Sequence, residues 1–178
     1  MAIYGKTWWG KKWLETFTGI DYDSRLPRGK TYANTGRAYD IDIKGNVITA
    51  KVKGSRPRPY SVKVILKGFK DEEKATVRDI INKSATIRSA LINKKLPPSF
   101  LERLNEHKIK LFPSHWREVD ATCSCPDWAV PCKHIAAVIY LIGAEIDKNP
   151  FMVFHIRNCD LLSLIGDFSE GRLERAQQ

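Results

Sequence analysis

A cysteine–histidine cluster in the last third of the chain constrains the fold more than any other feature. Cys123-Ser124-Cys125 is followed, after six residues, by Cys132-Lys133-His134. Zinc takes four soft or borderline ligands in a tetrahedron, and three thiolates with one imidazole supply such a set. A Cys-x-Cys pair in a turn and a Cys-x-His pair at the start of a helix can reach one metal ion. We therefore predict one structural zinc ion bound by Cys123, Cys125, Cys132 and His134.

Three other interpretations of the cluster are weaker. Buried cysteines without a metal would not require four ligand-type residues within twelve positions. Disulfides are rare in reducing compartments. A catalytic cysteine beside His134 would need a third group to orient the histidine, and the sequence offers no clear one. Four protein ligands leave no position for substrate or activated water, so we expect a structural metal and no enzymatic activity.

Length and composition indicate the class of protein. The chain has 178 residues, of which 43% are hydrophobic and 28% charged, so it can bury a core. Its apolar runs are shorter than the roughly 20 residues of a membrane span, and its N-terminus lacks an apolar stretch followed by a cleavage site. We expect a cytoplasmic protein of one domain, or of one domain with an appended subdomain.

Residues 1–70 are predicted to form a basic, tryptophan-rich segment and a small antiparallel sheet. The run Leu26-Pro27-Arg28-Gly29-Lys30 is turn-rich and has no clear period. Alternation from residue 38 to 53 around Gly45-Asn46 predicts a hairpin. Its register is predicted to pair Ile43 with Ile48, Ile41 with Ala50, Tyr39 with Val52 and Asp40 with Lys51. A third strand is predicted from the alternation of Tyr60, Val62, Val64 and Leu66.

Residues 71–112 are predicted to form short helices. Asp71 is the expected cap of the first helix. Ile87 and Leu91 mark a second helix, and Pro97-Pro98 begins a third. Their apolar stripes are most simply core-facing, so we assign them no other function.

The C-terminal third is predicted to contain the zinc finger and its helix. Residues 113–157 hold the ligand cluster and an apolar run, 135–142, which we expect to form a buried helix. Residues 158–178 are predicted to be a helical tail packed as one unit with residues 71–157. The predicted fold class is therefore α+β, with a small antiparallel sheet followed by helices and a C-terminal zinc finger.

The net charge of +10 is distributed unevenly along the chain. Residues 1–70 carry +10, residues 71–117 carry +4, and residues 118–178 carry −4. A basic surface of this size favours polyanions, because each neutralised phosphate releases condensed counterions. An ordinary solvated basic surface is the alternative interpretation of the charge.

Two basic segments have the composition of a nucleic-acid contact, since cations bind phosphates and exposed aromatic rings stack on unpaired bases. The first surrounds Trp8, although Trp9 and Trp13 lie four residues apart, as one buried helical face requires. The second is a stiff connection, Arg56-Pro57-Arg58-Pro59, which could also be a plain turn between strands. The candidate nucleic-acid-binding residues are Lys6, Trp8, Lys11, Lys12, Arg28, Lys30, Arg56 and Arg58.

The arrangement Cys123-x-Cys125-x6-Cys132-x-His134 resembles the SWIM zinc finger, whose pattern is Cys-x-Cys, a variable gap and Cys-x-His. Other segments are similar to stand-alone prokaryotic SWIM proteins: Thr7-Trp8-Trp9-Gly10-Lys11, Leu26-Pro27-Arg28-Gly29-Lys30-Thr31-Tyr32-Ala33, Gly54-Ser55-Arg56-Pro57-Arg58-Pro59-Tyr60, Leu111-Phe112-Pro113 and Asp147-x-x-Pro150-Phe151. The resemblance implies the four zinc ligands and a non-catalytic module that binds DNA or protein. It also implies an association with Swi/Snf-type helicases, Mutator-like transposases or regulators of recombinases.

Charge and resemblance together predict a zinc-stabilised nucleic-acid-binding module. The resemblance favours DNA, whereas RNA, including ribosomal RNA, fits the charge equally well. The alternative is an adaptor whose acidic final third docks a protein partner such as a helicase or a recombinase, or a ribonucleoprotein. An enzyme is the weakest class, because we find no phosphate-cradling glycine motif, nucleophile elbow or open metal site.

Overall fold

The structure, a computed structural model, combines helices with one antiparallel sheet and describes residues 4–17, 25–127 and 131–164. The helices are α1 (Trp8–Glu15), α2 (Arg25–Asn34), α3 (Asp71–Lys83), α4 (Ala85–Ile92), α5 (Pro98–Glu106), α6 (Lys133–Lys148) and α7 (Phe151–His155). The strands are β1 (Ala38–Lys44), β2 (Val47–Val52), β3 (Tyr60–Ile65) and β4 (Asp120–Cys123). The α+β class is confirmed, although two helices precede the sheet. None of the helices in the described ranges is long and apolar enough to cross a membrane.

The sheet joins parts of the chain that are far apart in sequence. Its strand order is β1-β2-β3-β4, and β4, from the region of the zinc ligands, pairs antiparallel with β3. One face is apolar, because Ile48, Val62 and Val64 alternate with exposed residues. That face packs against α6, whose Ile135 and Ile139 are buried in the same core. The sheet and the zinc region therefore share one hydrophobic core.

The predicted hairpin is confirmed next to its turn. Ile43 lies opposite Ile48, as predicted, and Ile48 is fully buried. Gly45 in the turn has a φ of +56°, a left-handed conformation that glycine adopts without a steric penalty. Turn chemistry and alternation were sufficient to determine this half of the register.

The register prediction is wrong towards the open end of the hairpin. A bulge between Tyr39 and Asp42 shifts the pairing by one residue, so that Tyr39 pairs with Lys51 and the predicted Tyr39–Val52, Ile41–Ala50 and Asp40–Lys51 pairs do not form. Asp40 has a φ of +50°, which a short polar side chain tolerates better than most. Tyr39 consequently points to the outer face of the sheet, and Ile41 is only half-buried.

The turn predicted at residues 26–30 is wrong, because these residues belong to α2. Pro27 lies in the first turn of that helix, where its missing N–H needs no partner. Leu26, Gly29 and Ala33 form its buried stripe. A Cβ atom at Gly29 would lie 2.5 Å from the Cβ of Ala136, so glycine allows α2 and α6 to approach closely. Packing against α6 therefore overrides a weak local propensity for helix.

Helix α1 packs on α6 through its tryptophans. Trp13 is fully buried and donates its indole N–H to the carbonyl oxygen of Ile139, 3.1 Å away. Trp9 is half-buried and donates its indole N–H to the carbonyl oxygen of Ile146 at 2.8 Å. The prediction that at least one of these two tryptophans is buried is confirmed.

The helices predicted in the middle of the chain are present as α3, α4 and α5. Asp71 is the first residue of α3 and not its cap, because Lys70 occupies the N-cap position and donates its backbone N–H to the Glu73 side chain. Of the predicted C-terminal tail, the structure describes residues 158–164, and residues 165–178 lie outside the described residues.

Candidate metal centre and nucleic-acid interface

Four ligand atoms converge where β4 approaches the N-terminus of α6. Cys123 ends β4, Cys125 lies just beyond it, Cys132 is the N-cap residue of α6, and His134 lies in its first turn. Their ligand atoms all lie within 4.8 Å of one another. Nδ1 of His134 is 3.8 Å from the Sγ atoms of both Cys123 and Cys132. Tetrahedral zinc bonds of these types separate neighbouring ligand atoms by about 3.5–3.8 Å, so the cluster fits one zinc ion.

Strand pairing positions the first pair of ligands. Cys123 pairs with Val62 of β3. The backbone N–H of Ser124 donates to the carbonyl oxygen of Ser61 at 3.0 Å, and the Ser124 hydroxyl accepts from the Ser61 N–H at 2.9 Å. Cys123 and Cys125 are therefore held on an extension of the β3–β4 ladder, which brings them to the end of α6.

The electrostatics of the cluster suit a bound cation. The pKa of Cys132 is lowered to about 4, chiefly because the Cys123 thiol donates a hydrogen bond to it, with His134 and the Ile135 N–H adding to the effect against the cost of burial. The pKa of Cys123 is raised, first by this hydrogen bond and then by burial. The N-terminus of α6 also favours a thiolate at Cys132. Negative charge thus concentrates where a divalent cation can compensate it.

Aromatic packing orients the zinc-binding imidazole. The His134 ring lies 4.7 Å from the Tyr60 ring and 5.5 Å from the Tyr32 ring, measured between centroids. A Cβ atom at Gly54 would lie 2.3 Å from the Tyr60 ring and 3.4 Å from Nε2 of His134, so only glycine fits there. Nε2 is buried and has no hydrogen-bond partner in the described part of the chain. Packing therefore sets the orientation of the His134 ring, whereas many metal-binding histidines are oriented by a hydrogen bond from their other ring nitrogen.

Two basic residues lie over Tyr32, one of the two aromatic rings that contact His134. The guanidinium carbon of Arg37 lies 4.7 Å from the centroid of Tyr32, and Nζ of Lys133 lies 5.6 Å from it. Lys53 donates its backbone N–H to the carbonyl oxygen of Arg37 at 2.8 Å. The exposed arginines of the β2–β3 connection follow directly, between Gly54 and Tyr60. We call this group the zinc-rim surface, and it comprises Tyr32, Arg37, Lys53, Arg56, Arg58 and Lys133.

The two candidates in α2 lie on different sides of that helix. Arg28 precedes Tyr32 by one turn on the same side, which extends the zinc-rim surface along α2. Lys30 is rotated from Arg28 by about 200° around the helix axis, so it points away from that side. Both side chains are exposed.

The candidates near α1 lie at the other end of α6. Trp8 is half-buried and donates its indole N–H to the carbonyl oxygen of Leu96 at 3.0 Å. The segment before α1 is bound to Asp147, and α6 places Asp147 about 21 Å from Lys133. The structure therefore brings Arg56, Arg58 and Arg28 towards the metal centre and separates them from the exposed residues Lys6, Lys11 and Lys12.

Sequence reasoning missed several residues of this site. Tyr32, Arg37 and Lys133 were not selected, because their relevance arises from contacts between α2, β1 and α6. Two signals were available in the sequence: Lys133 lies between two zinc ligands, and Tyr60 ends a segment that resembles SWIM proteins. The sequence also suggests Trp128 as an apolar anchor for the connection between Cys125 and Cys132, and this residue lies outside the described residues.

Comparison with known proteins agrees with the metal centre. Residues 105–143 match the SWIM zinc finger family. Over 171 residues the chain is 31% identical to Uncharacterized protein Rv2102 of Mycobacterium tuberculosis (strain ATCC 25618 / H37Rv), an alignment that spans 96% of this chain but 62% of that relative. No solved structure matches the chain. Because the matched segment holds the converging ligand atoms, this chain contains a SWIM zinc finger, in which Cys123, Cys125, Cys132 and His134 are positioned to bind one zinc ion.

Proposed function

We propose that this protein is a nucleic-acid-binding module, with DNA as the favoured partner. Its zinc ion would fix the relative positions of the residues that form the zinc-rim surface. The observation that carries the proposal is that two cations lie over an aromatic ring which itself packs against the zinc-binding histidine. Arg37 and Lys133 flank Tyr32, and Tyr32 packs on His134. Phosphates are the polyanionic groups that such a cluster of cations binds best.

The β2–β3 connection has the properties of a phosphate contact. Arg56 and Arg58 are exposed, and neither forms an ion pair within the ranges that the structure describes. Pro57 and Pro59 restrict the backbone, so little conformational entropy is lost when the loop is ordered by a ligand. Arginine also binds phosphate oxygens through two parallel hydrogen bonds.

Zinc has a structural role in this proposal. When bound, it would link Cys123, which ends β4, and Cys125 just beyond it to Cys132 and His134 at the N-terminus of α6. Four protein ligands complete a tetrahedron, so the proposal includes no catalytic step at the metal. The packing of Tyr32 and Tyr60 against His134 supports a connection between the metal centre and the surrounding cations.

The alternative function, a protein adaptor, would use the acidic final third of the chain. Some of the carboxylates in that third already accept hydrogen bonds within the molecule. Asp147 accepts hydrogen bonds from residues 5–7, and Glu118 accepts from Lys110 and from the Ser114 N–H. These contacts leave fewer free carboxylates for a partner, so we favour the nucleic-acid-binding function.

The salt dependence of binding tests the proposal. Zinc-loaded full-length protein is titrated with duplex DNA at several salt concentrations, and the Arg56→Ala/Arg58→Ala variant is compared with it. Losing two phosphate contacts should weaken binding and flatten the log–log salt slope by about 1.8. The matched control is Lys83→Ala/Lys95→Ala, which removes two exposed charges from α3 and from the α4–α5 connection.

Several outcomes would contradict the proposal. Unchanged affinity and salt slope in the arginine variant would exclude this loop as the contact. A Lys11→Ala/Lys12→Ala variant that lost binding instead would move the interface to α1. An RNA of the same sequence that bound more tightly would overturn the preference for DNA. Failure of the zinc-loaded protein to bind any nucleic acid, together with recovery of one specific protein partner at high salt, would favour the adaptor function.

A further inference from the structure

We propose that the outer face of the β-sheet is a docking groove for single-stranded DNA that continues the zinc-rim surface. This inference rests on the proposed function and specifies both the form of the nucleic acid and the second half of its contact surface. The face is the side of the sheet opposite α6, and most of its side chains are exposed, while Val47 and Ile65 on it are half-buried.

The outer face forms a shallow groove of about 580 Å³ next to the metal centre. Hydroxyl groups and lysines alternate across it because neighbouring strands bring them into register: Lys51 pairs with Ser61, and Lys63 pairs with both Thr49 and Thr122. The exposed hydrogen-bond donors that line the groove are Thr49, Lys51, Ser61, Lys63, Thr122 and Ser124, and Asp40 is an exposed acidic residue beside them. Hydroxyl and ammonium groups are donors to phosphate oxygens, so this composition suits a sugar–phosphate backbone.

Two lysines and one carboxylate, that of Asp40, line the groove, so its net charge is positive by one. Lys51 and Lys63 are diagonal neighbours on adjacent strands, which places their Cα atoms about 7–8 Å apart. In the described part of the chain, neither Lys51 nor Lys63 has a carboxylate within ion-pair distance. Like charges on neighbouring strands repel each other, and a phosphate bound between the two lysines would reduce that repulsion.

Tyr39 supplies a stacking surface at the edge of the groove. The bulge in β1 directs its side chain to the outer face, beside Lys51, where 38% of it is exposed. An exposed aromatic ring stacks on bases of any identity, provided that those bases are unpaired. The combination of an aromatic ring with lysines and hydroxyls on an open sheet therefore favours a single strand, since a duplex keeps its bases stacked on each other.

The groove is continuous with the zinc-rim surface. Lys53 follows Lys51 on the same side of the strand, and the chain then passes through Arg56 and Arg58 before returning to Ser61. A single strand that contacts the arginines can therefore extend across the sheet towards Tyr39. This path would use cations from both regions in one continuous contact.

Asp40 makes the inference testable in both directions. Its exposed carboxylate lines the groove and repels phosphates. Asparagine retains the size of the side chain and tolerates the positive φ of this position, while it removes the charge. Asp40→Asn should therefore tighten binding, whereas loss of the lysines should weaken it.

The experiment measures the binding of zinc-loaded full-length protein to a thymidine oligonucleotide of about 12 nucleotides, within the site sizes of single-strand binders. Lys51→Ala/Lys63→Ala should weaken binding and flatten the log–log salt slope by about 1.4. Tyr39→Ala should lose about fivefold or more in affinity, and Tyr39→Phe should stay within about twofold of the original protein, because the ring is retained. Asp40→Asn should tighten binding by about twofold. The control is again Lys83→Ala/Lys95→Ala.

The outcomes separate this inference from the proposed function. If the arginine variant loses binding while the lysine and tyrosine variants bind the oligonucleotide like the original protein, the groove is not a binding site. The proposal that the zinc-rim surface binds nucleic acid would remain supported. Tighter binding of the matching duplex, or of RNA of the same sequence, would also overturn the inference. If the zinc-loaded protein binds no nucleic acid, both proposals fail. Equal circular dichroism spectra and equal zinc content confirm that each variant is folded.

Discussion

The two ends of helix α6 hold neighbouring parts of the chain by different chemistry. At the N-terminus, Cys132 and His134 are positioned to share a zinc ion with Cys123 and Cys125. At the C-terminus, the Asp147 carboxylate accepts hydrogen bonds from the backbone N–H groups of residues 5–7 and from the hydroxyl of Thr7, over 2.6–3.1 Å. One end of α6 therefore carries a metal-binding site, and the other end carries a carboxylate that binds the N-terminal segment.

The Asp147 carboxylate is stabilised although it lies in the last turn of α6. A negative charge near the C-terminus of its own helix is unfavourable. Asp147, however, faces the N-terminus of α1, where Thr7 is the N-cap residue. Burial raises the pKa of Asp147, but the hydrogen bonds from Thr7, Lys6 and Gly5 outweigh it and leave the pKa lowered. The N-terminus of α1 thus compensates the negative charge of Asp147, which is unfavourable at the C-terminus of α6.

The comparison shows how differently the two sites are encoded. Cysteine and histidine at this spacing are a rare combination, so the metal end is recognisable in the sequence. An aspartate, a threonine and a glycine are common residues, and only the fold shows that they meet. The metal end should also respond to substitution in an all-or-none manner, since three ligands bind zinc far less well than four, whereas the hydrogen bonds at the other end should be lost one at a time.

The largest effect is expected at the metal end. Cys132→Ser should abolish the binding of one zinc ion per chain and remove hydrogen-exchange protection from residues 120–157, because apparent binding free energies for structural zinc are about 10–16 kcal/mol. Metal analysis and exchange mass spectrometry measure these effects. Cys159→Ser is the matched control, since Cys159 is a buried cysteine outside the cluster and its variant should keep the zinc. A folded, reduced protein without zinc would contradict the metal assignment.

The second effect concerns the carboxylate end. Asp147→Ala leaves several donors without their acceptor and should lower the free energy of unfolding by about 2–4 kcal/mol, as measured by urea denaturation with zinc present. Zinc content should not change. Glu145→Ala is the control, because Glu145 forms an exposed ion pair with Lys148, and the loss of such a pair should cost less than about 1 kcal/mol. Equal losses in the two variants would show that Asp147 does not anchor the N-terminal segment.

Gly10 allows a more specific test of the contact between α1 and Asp147. A Cβ atom at Gly10 would lie 2.0 Å from Oδ1 of Asp147, so Gly10→Ala should cost about 1–3 kcal/mol of unfolding free energy. Because the clash is with Asp147, the cost should shrink when Gly10→Ala is combined with Asp147→Ala in a double-mutant cycle. Additive costs would show that the penalty arises elsewhere, for example in α1 itself.

The smallest effect is a dependence on pH. Because the pKa of Asp147 is lowered in the folded protein, its contribution to stability is complete above the ordinary aspartate value of about 3.9 and is lost as the pH falls through the lowered value. Asp147→Asn has no such contribution. The unfolding free energies of the two proteins, from urea titrations between about pH 6 and pH 2, should therefore converge in acid. A constant difference across this range would mean that the charge of Asp147 does not contribute.

Features that depend on neighbouring residues were predicted well. The apolar stripes of α3, α4 and α5 follow the helical period, and the turn at Gly45 follows from local turn chemistry. Features that depend on distant packing were missed or wrong. Helix α2 was predicted as a turn because Pro27 and Gly29 have poor helix propensity, and the bulge at Asp40 interrupts an alternation that continues in the sequence. For α2, close packing of Gly29 against Ala136 of α6 decided the conformation.

The sequence by itself determined the metal centre, because ligand chemistry depends on residue type and short spacing, and both are local. It also determined the excess of positive charge in the first two-thirds of the chain. Only the tertiary structure decided that β4 joins β3, that Tyr32 and Tyr60 enclose His134, and that Asp147 holds the start of α1. Those contacts join residues that lie 55 to 140 positions apart in the sequence, and most of them are common residue types. The physical reason is that close packing selects such partners by shape, and shape exists only once the chain has folded.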